Sequence, residues 1–184
     1  FEMALPRNEL IVAPDGVDLE RYQDLPSASS AREKLELPEK LTAVYTGGFY
    51  RGRGLEMLFK LAVHFPQVNF VWVGGKPDAV ADWNAQIQSA GLNNIKLTGF
   101  VDNQTLPLYQ AAADVLLMPF GKSVAGSSGG NTADVCSPMK MFEYMAADRA
   151  IVTSDLPVLR EVLNEQNAVF YEPENFEDLK SKFS

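Results

Sequence analysis

The sequence predicts an α/β fold in which helices cover both faces of one parallel sheet. Two observations support this prediction. Short segments of β-favouring residues alternate along the chain with longer segments of helical spacing. The short segments are apolar throughout, and strands of this kind are typical of parallel sheets that are buried on both faces.

Six segments are predicted as strands because they are short, apolar and bounded by turn-forming residues: 41–46, 68–75, 95–99, 114–120, 150–155 and 167–171. Helical spacing predicts helices at 54–65, 78–91, 103–113, from 138 onward, at 157–163 and at 174–184. We expect Asp102 or Asn103 to cap the 103–113 helix. We expect Ser137 to cap the next helix, with Pro138 at its first position.

Composition excludes several classes of function. The chain has 184 residues, of which 46% are hydrophobic, as in a globular domain. Its 24 acidic and 16 basic residues give a net charge of −8, which argues against nucleic-acid binding but not against a local phosphate site. Cys136 is the only cysteine and His64 the only histidine, so neither an internal disulfide nor a thiolate metal cluster can form.

The remaining compositional signals predict ordinary structural roles. We expect His64 to lie near a helix end at the surface, Cys136 to pack passively, and Trp72 and Trp83 to lie in or beside the core. No apolar run reaches the roughly 20 residues that span a bilayer. The chain begins with Phe1 and ends within a helical pattern, so we expect one domain of a longer protein.

Four loops follow the ends of predicted strands: 47–54, 74–77, 99–102 and 119–137. In a parallel sheet, ligands bind beyond the carboxyl ends of the strands, where the strand order reverses. The last loop is longer than most connections in a compact domain, which favours a functional segment over a spacer.

The first of these loops, "TGGFYRGRG" at 46–54, has the residues of an anion site. Glycines allow backbone N–H groups to approach a phosphate, and Arg51 and Arg53 add positive donors. The spacing matches neither the dinucleotide fingerprint nor the P-loop. A tight turn with two solvated arginines explains this stretch equally well. At Lys76 in "VGGKP", a plain turn is the favoured interpretation.

Glu143 lies in the apolar helix pattern "SPMKMFEYMA". One interpretation is a surface ion pair with Lys140, three residues earlier, which is slightly favoured from these residues alone. The other is a carboxylate at the rim of the sheet that accepts hydrogen bonds from ribose hydroxyls, while the free N–H groups near Met139 and Lys140 face a diphosphate.

Several segments together resemble one known family: "PDGVD" (14–18), "YTGGFYRGRGLEML" (45–58), "FVWVGG" (70–75), "IKLTGFVDNQTLPLYQAAADVLLMPF" (95–120) and "SPMKMFEYMAADRAIVTSDLPVLREVL" (137–163). In this order and spacing they look like the C-terminal, donor-binding domain of a retaining GT-B glycosyltransferase of family 4. The resemblance covers nearly the whole chain. It implies that the sheet is Rossmann-like and forms one half of a GT-B fold.

The resemblance also implies roles for individual residues. Arg53 matches the basic residue that contacts the donor diphosphate, and Glu143 matches the carboxylate that holds the ribose; these are the two catalytic candidates. The other residues expected to bind the donor, together with these two, are Gly48, Phe100, Val101, Ser137, Met139 and Lys140. The family's first Glu, which touches the donor sugar, is replaced here by Val135, and Asp134 is the candidate for that contact.

These implications define the expected protein. Residues 1–25 form the interdomain connection that leads into the domain, and residues 26–184 form the donor-binding domain. The donor is a nucleotide diphosphate sugar, and neither a metal nor another cofactor is required. The acceptor domain lies in a missing N-terminal part, so the isolated domain is expected to be inactive. The expected location is cytoplasmic, and the parent protein can associate with the cytoplasmic face of a membrane.

Two other functions stay open. One is a dinucleotide-dependent dehydrogenase domain, although the glycine spacing argues against it. The other is a non-catalytic nucleotide-binding module, in which Val135 marks lost sugar chemistry. The sequence does not identify the base, the sugar or the acceptor.

Overall fold

Residues 15–123 and 138–184 are described in the computed structural model, and they form one parallel sheet in the order β3-β2-β1-β4-β5-β6. The six strands, numbered along the chain, are β1 Thr42–Thr46, β2 Asn69–Val73, β3 Ile95–Gly99, β4 Val115–Met118, β5 Ala150–Ser154 and β6 Val169–Tyr171. All neighbouring strands pair in parallel. The predicted fold is therefore confirmed, and the strand order reverses between β1 and β4.

In the described residues, seven α-helices connect or flank these strands: α1 Ala28–Lys34, α2 Leu55–His64, α3 Pro77–Ser89, α4 Leu106–Ala111, α5 Met139–Ala146, α6 Pro157–Arg160 and α7 Phe176–Phe183. A short 3₁₀ helix at Leu19–Tyr22 precedes them. The sequence analysis did not predict the 3₁₀ helix or α1. The α1 helix is held by buried Arg32, which donates to the Ala112 carbonyl (3.0 Å) and to Asp114 (2.9 Å).

Helices cover both faces of the sheet, as predicted. Successive residues of a strand point to opposite faces, so each strand contributes to two apolar clusters. One cluster contains Val44, Val71 and Leu116 together with residues of α1, α4, α5 and α6. The other contains the residues that follow them in the strands, Tyr45, Trp72 and Leu117, together with residues of α2, α3 and α7.

The two predicted helix caps need correction. The α5 helix begins at Met139, so Pro138 occupies the N-cap position in extended conformation (φ −74°, ψ 112°) instead of the first helical position. Ser137, the predicted cap, lies outside the described residues. Thr105 is the N-cap of α4 and makes no side-chain cap bond. The Asp102 side chain accepts before the helix begins, from the Gln104 N–H (2.8 Å).

The predicted structural side chains lie where the sequence indicated. His64 is exposed at the end of α2, with Nδ1 3.1 Å from the Lys60 carbonyl oxygen. Trp72 is fully buried in β2 and meets half-buried Trp83 of α3 edge to face, with ring centroids 5.2 Å apart. Cys136 lies outside the described residues.

Candidate functional site

The loops at the carboxyl ends of β1, β2 and β3 converge on one pocket of about 510 Å³. Gly47, Gly48 and Tyr50 line it from the β1 loop, and residues 74–77 line it from the β2 loop. Phe100, Val101 and Asn103 follow β3, and Leu106 begins α4. Because the sheet is parallel, these loops all lie at the edge predicted to bind a ligand.

Glycines allow these loops to pack backbone against backbone. A Cβ on Gly74 (φ +118°) would lie 2.2 Å from the Gly47 carbonyl oxygen, and a Cβ on Gly54 (φ +77°) would lie 1.7 Å from the Pro119 carbonyl oxygen. The Gly121 N–H also donates to the Gly52 carbonyl (2.9 Å). The glycines of 46–54 therefore bring the β1 loop against its neighbours on both sides. The sequence analysis had predicted for them only an approach of backbone N–H groups to an anion.

Tyr144 anchors α5 across the point where the strand order reverses. Its buried hydroxyl accepts from the Thr46 N–H (2.9 Å) at the end of β1 and donates to the Leu117 carbonyl (3.4 Å) in β4. Both contacts join α5 to the two central strands. They place the start of α5 at the crevice between the β1 and β4 loops.

Lys140, in the first turn of α5, has a buried ammonium group. Its Nζ lies 4.1 Å from the centroid of the Tyr45 ring and 5.0 Å from that of Phe120. A Cβ on Gly47 would lie 2.9 Å from this Nζ, so the ammonium sits directly beneath the β1 loop. Among the described residues, the Nζ has no hydrogen-bond acceptor. Burial, and next the charge of Arg53, lower the pKa of Lys140 well below that of a free lysine, whereas Glu143 acts in the opposite sense.

The prediction of a surface ion pair between Lys140 and Glu143 is therefore wrong. Lys140 is 9% exposed, and no ion pair joins it to Glu143 in the part of the chain that the structure describes. The side chain of Lys140 instead packs inward against the rings of Tyr45 and Phe120, beneath the β1 loop.

Arg53 reaches the same region from the β1 loop. It is half-buried, its Cζ lies 5.1 Å from the centroid of the Phe120 ring, and its Nε is buried without an acceptor in residues 15–123 or 138–184. Two cationic side chains thus flank Phe120, and each has a buried donor nitrogen without an acceptor in the described part of the chain. Arg51, on the same loop, is exposed, as is Lys76.

Glu143 is half-buried and is held from one side. Buried Gln110 of α4 donates from Nε2 to Glu143 Oε2 (3.2 Å), and its Oε1 accepts from the Tyr22 hydroxyl (2.8 Å). No donor from the described parts of the chain reaches the other carboxylate oxygen.

The other predicted residues divide into three groups. Phe100 is 85% exposed and borders the pocket with half-buried Val101. Gly48 also lines the pocket, and exposed Met139 begins α5. Ser137, Asp134 and Val135 lie outside the described residues, so the predicted sugar contact has no structural description.

The sequence analysis missed five residues of this region: Tyr22, Tyr45, Gln110, Phe120 and Tyr144. For Gln110 a signal existed, because it is a polar residue within the apolar run "LPLYQAAADVLL", as Glu143 is within its own helix. Nothing in the sequence distinguishes the aromatic residues from ordinary core positions.

Within residues 15–123 and 138–184 there is no group of three or more His, Cys, Asp or Glu side chains that could hold a metal ion. None of the helices found there is both long and apolar enough to cross a membrane.

Comparison with known proteins gives consistent matches. The model of the family described as "Glycosyl transferases group 1" matches residues 40–184. The putative teichuronic acid biosynthesis glycosyltransferase TuaH of Bacillus subtilis is 26% identical over 151 residues, which cover 82% of this chain and 36% of that protein. The chain thus spans little more than a third of that relative.

Solved structures show the same fold. Anabaena Alr3699/HepE in complex with UDP and glucose matches with a TM-score of 0.72 at 20% identity, over 91% of this chain and 44% of that chain. The C-terminal domain of the group 1 glycosyl transferase LpcC from Francisella tularensis matches with a TM-score of 0.70 at 19% identity, over 91% of this chain and 86% of that chain.

Proposed function

This chain belongs to the group 1 glycosyl transferases, and on that premise we propose that its rim between β1 and β4 binds the diphosphate of a nucleotide-sugar donor. The chain has the Rossmann-like architecture of one half of a GT-B fold. We place it in the C-terminal half of a retaining, family 4-like hexosyltransferase. Its match to nearly the whole length of an isolated C-terminal domain supports this placement.

The observation that carries the proposal is the pair of cationic side chains around Phe120. Arg53 and Lys140 both have buried nitrogens without acceptors among the residues that the structure describes, and both lie where the strand order reverses. Unused donors on buried charges are costly, so an anionic ligand that lies beside them gains the interaction that the protein leaves open. A diphosphate at this place would also meet the free N–H groups of the first turn of α5, which has no side-chain cap.

Glu143 fits the ribose. It lies one helical turn after Met139 on α5, so a nucleotide whose phosphates meet the start of this helix would present its sugar further along the helix. The carboxylate has one oxygen fixed by Gln110 and one free of protein donors in the described ranges. A carboxylate accepts from two vicinal hydroxyls at once, which suits a ribose better than a deoxyribose.

The base fits the pocket that follows β3. The exposed ring of Phe100 and the 48% exposed ring of Tyr50 border it, and aromatic rings stack well on nucleobases. The backbone of Phe100 and Val101 lies in the segment that would contact the edge of the base.

In the proposed reaction, the bond between the sugar and the diphosphate breaks, the acceptor oxygen bonds to the same sugar carbon with retention, and the hydroxyl proton passes to the leaving diphosphate. Negative charge develops on the leaving diphosphate, so the positive charge of Arg53 stabilises the transition state more than the ground state, as does that of Lys140 when the neighbouring diphosphate keeps it protonated. The residues named here act without a metal, and the acceptor would be bound by the part of the parent protein that this chain does not include.

The test is a calorimetric titration of the chain with UDP, GDP, ADP and NAD. We expect one of the nucleoside diphosphates to bind more tightly than NAD, because the glycine spacing and the acidic residue of a dinucleotide site are missing. Tightest binding of NAD would favour a dehydrogenase domain instead. If none of the four bound, the nucleotide site itself would be rejected.

A Glu143→Ala variant tests the assignment of Glu143 to the ribose, with Glu165→Ala as its control. Loss of charged hydrogen bonds to the ribose costs about 1.5–3 kcal/mol each, so affinity for the preferred nucleoside diphosphate should fall about tenfold or more. Glu165→Ala removes an exposed carboxylate beyond β5 and should leave the affinity unchanged. An unchanged affinity in both variants would contradict the role given to Glu143.

A further inference from the structure

The 3₁₀ helix at Leu19–Tyr22 contacts both sides of the proposed nucleoside site. Through Tyr22 it reaches Gln110, which donates to Glu143. Through Arg21 it reaches the loop after β3, because the Arg21 guanidinium donates to the Asn103 carbonyl. Asn103 borders the pocket assigned to the base. The segment predicted to connect this domain to the rest of its parent therefore ends on the ligand-binding edge.

The direction of the hydrogen bonds between Tyr22, Gln110 and Glu143 follows from their chemistry. An ionised carboxylate only accepts, so the amide nitrogen of Gln110 must face Glu143 and its oxygen must face Tyr22. The Tyr22 hydroxyl then has to donate. Burial, and next the negative charge of Glu143, raise the pKa of Tyr22 above its usual value, which keeps that proton in place.

Gln110 has few alternatives to this arrangement. It is 0% exposed, and alanines 111–113 beside it belong to the apolar cluster that also contains Tyr22. A buried amide without partners is costly, so the side chain stays where both of its ends are satisfied. The conformation of Glu143 is thus coupled to a side chain that cannot easily move.

We propose that Tyr22 and Gln110 are positioning residues that hold the Glu143 carboxylate toward the ribose, so that the segment leading into the domain influences nucleoside affinity. Neither residue touches the ligand. Fixing one carboxylate oxygen leaves the other at a defined place, and this lowers the entropy that Glu143 loses when the ribose hydroxyls bind. The inference rests on the proposed function and goes beyond it by assigning the residues that orient the site.

The test compares the preferred nucleoside diphosphate with its 2′,3′-dideoxy analogue, which lacks the hydroxyls that Glu143 would bind. In the unchanged chain, we expect the ribonucleotide to bind about tenfold more tightly or better, as for a charged hydrogen bond. Gln110→Met keeps the side-chain length without the amide and should reduce this ratio to about threefold or less. Tyr22→Phe removes one hydroxyl and should reduce the ratio to an intermediate value.

Tyr109→Phe is the matched control, since it deletes a hydroxyl from half-buried Tyr109, next to Gln110, and should leave the ratio unchanged. A purely structural effect would weaken both nucleotides in parallel, and that result would overturn the inference, as would an unchanged ratio in both variants. Tyr22→Phe keeps the test decisive should Gln110→Met fail to fold. Equal binding of both nucleotides by the unchanged chain would contradict only the ribose role of Glu143 and this inference. Binding of neither nucleotide would contradict the proposed function as well.

Discussion

Lys140 is a lysine whose surroundings disfavour its charged form. Its lowered pKa has burial as the first cause and Arg53 as the second. Between that lowered pKa and the usual lysine value near 10.4, the unfolded chain binds more protons than the folded chain, so the free energy of unfolding rises with pH. Above the usual value, neither state is protonated and the penalty disappears.

Replacing this lysine should therefore stabilise the fold in a pH-dependent way. We expect Lys140→Met to have a higher free energy of unfolding than the unchanged chain at pH 7, and the difference should shrink as the pH approaches 10. Urea denaturation at several pH values measures this, with exposed Lys182→Met as the control. A difference that stays the same across the pH range would show that the ammonium is not destabilised by burial.

The two arginines of the β1 loop should contribute unequally to the affinity for a nucleoside diphosphate. Arg53 is half-buried beside Phe120, and its Nε has no acceptor among the described residues, whereas Arg51 is exposed. Arg53→Ala should lower nucleoside diphosphate affinity about tenfold or more, because charged hydrogen bonds contribute about 1.5–3 kcal/mol. Arg51→Ala should cost about fivefold or less, since exposed charge pairs contribute up to about 1 kcal/mol. Equal losses in calorimetry would restore the alternative of two solvated arginines.

At the scale of elements, the β1 and β4 loops depend on a close backbone approach at Gly54. This residue is the N-cap of α2 in left-handed conformation, and its Cα faces the Pro119 carbonyl. Any side chain at this position would push the two loops apart. The loops in turn carry Arg53 and Phe120, so the spacing of the proposed diphosphate site depends on this contact.

Two glycine substitutions separate conformational strain from steric clash. Gly91 also has a positive φ of 65°, but nothing lies within 4 Å of a Cβ there. Gly91→Ala should lower the free energy of unfolding by about 1–2 kcal/mol from the left-handed conformation alone. Gly54→Ala should cost clearly more, because a Cβ would lie 1.7 Å from a backbone oxygen. Chemical denaturation compares them, and equal losses would argue against the clash.

Elements that follow a local rule were predictable from the sequence. All six strands were found because apolar β-favouring runs bounded by turn residues mark buried parallel strands. The 3₁₀ helix and α1 were missed because their positions depend on distant partners: Tyr22 on Gln110, and Arg32 on Asp114. The surface pair of Lys140 failed for the same reason, since its burial depends on Tyr45 and Phe120, far away in sequence.

At the scale of the whole molecule, the chain belongs to the group 1 glycosyl transferases and spans 44% of the Anabaena HepE structure in complex with UDP and glucose. We expect it to bind a nucleoside diphosphate but to transfer no sugar, because in the proposed function the acceptor is held by a part of the parent protein outside these residues. Incubation with radiolabelled nucleotide sugars and sugar acceptors tests this. A robust transfer rate from these 184 residues would contradict it.

The central claim is the position of the nucleotide, and a crystal structure of the chain grown with its preferred nucleoside diphosphate tests it most directly. The account predicts that Arg53 is the cation nearest to the diphosphate, at the start of α5, and that a ribose hydroxyl lies within about 3.2 Å of a Glu143 oxygen. A nucleotide bound elsewhere would contradict the account, for example in the cavity of about 650 Å³ beside β6 that Arg160 and Lys182 line.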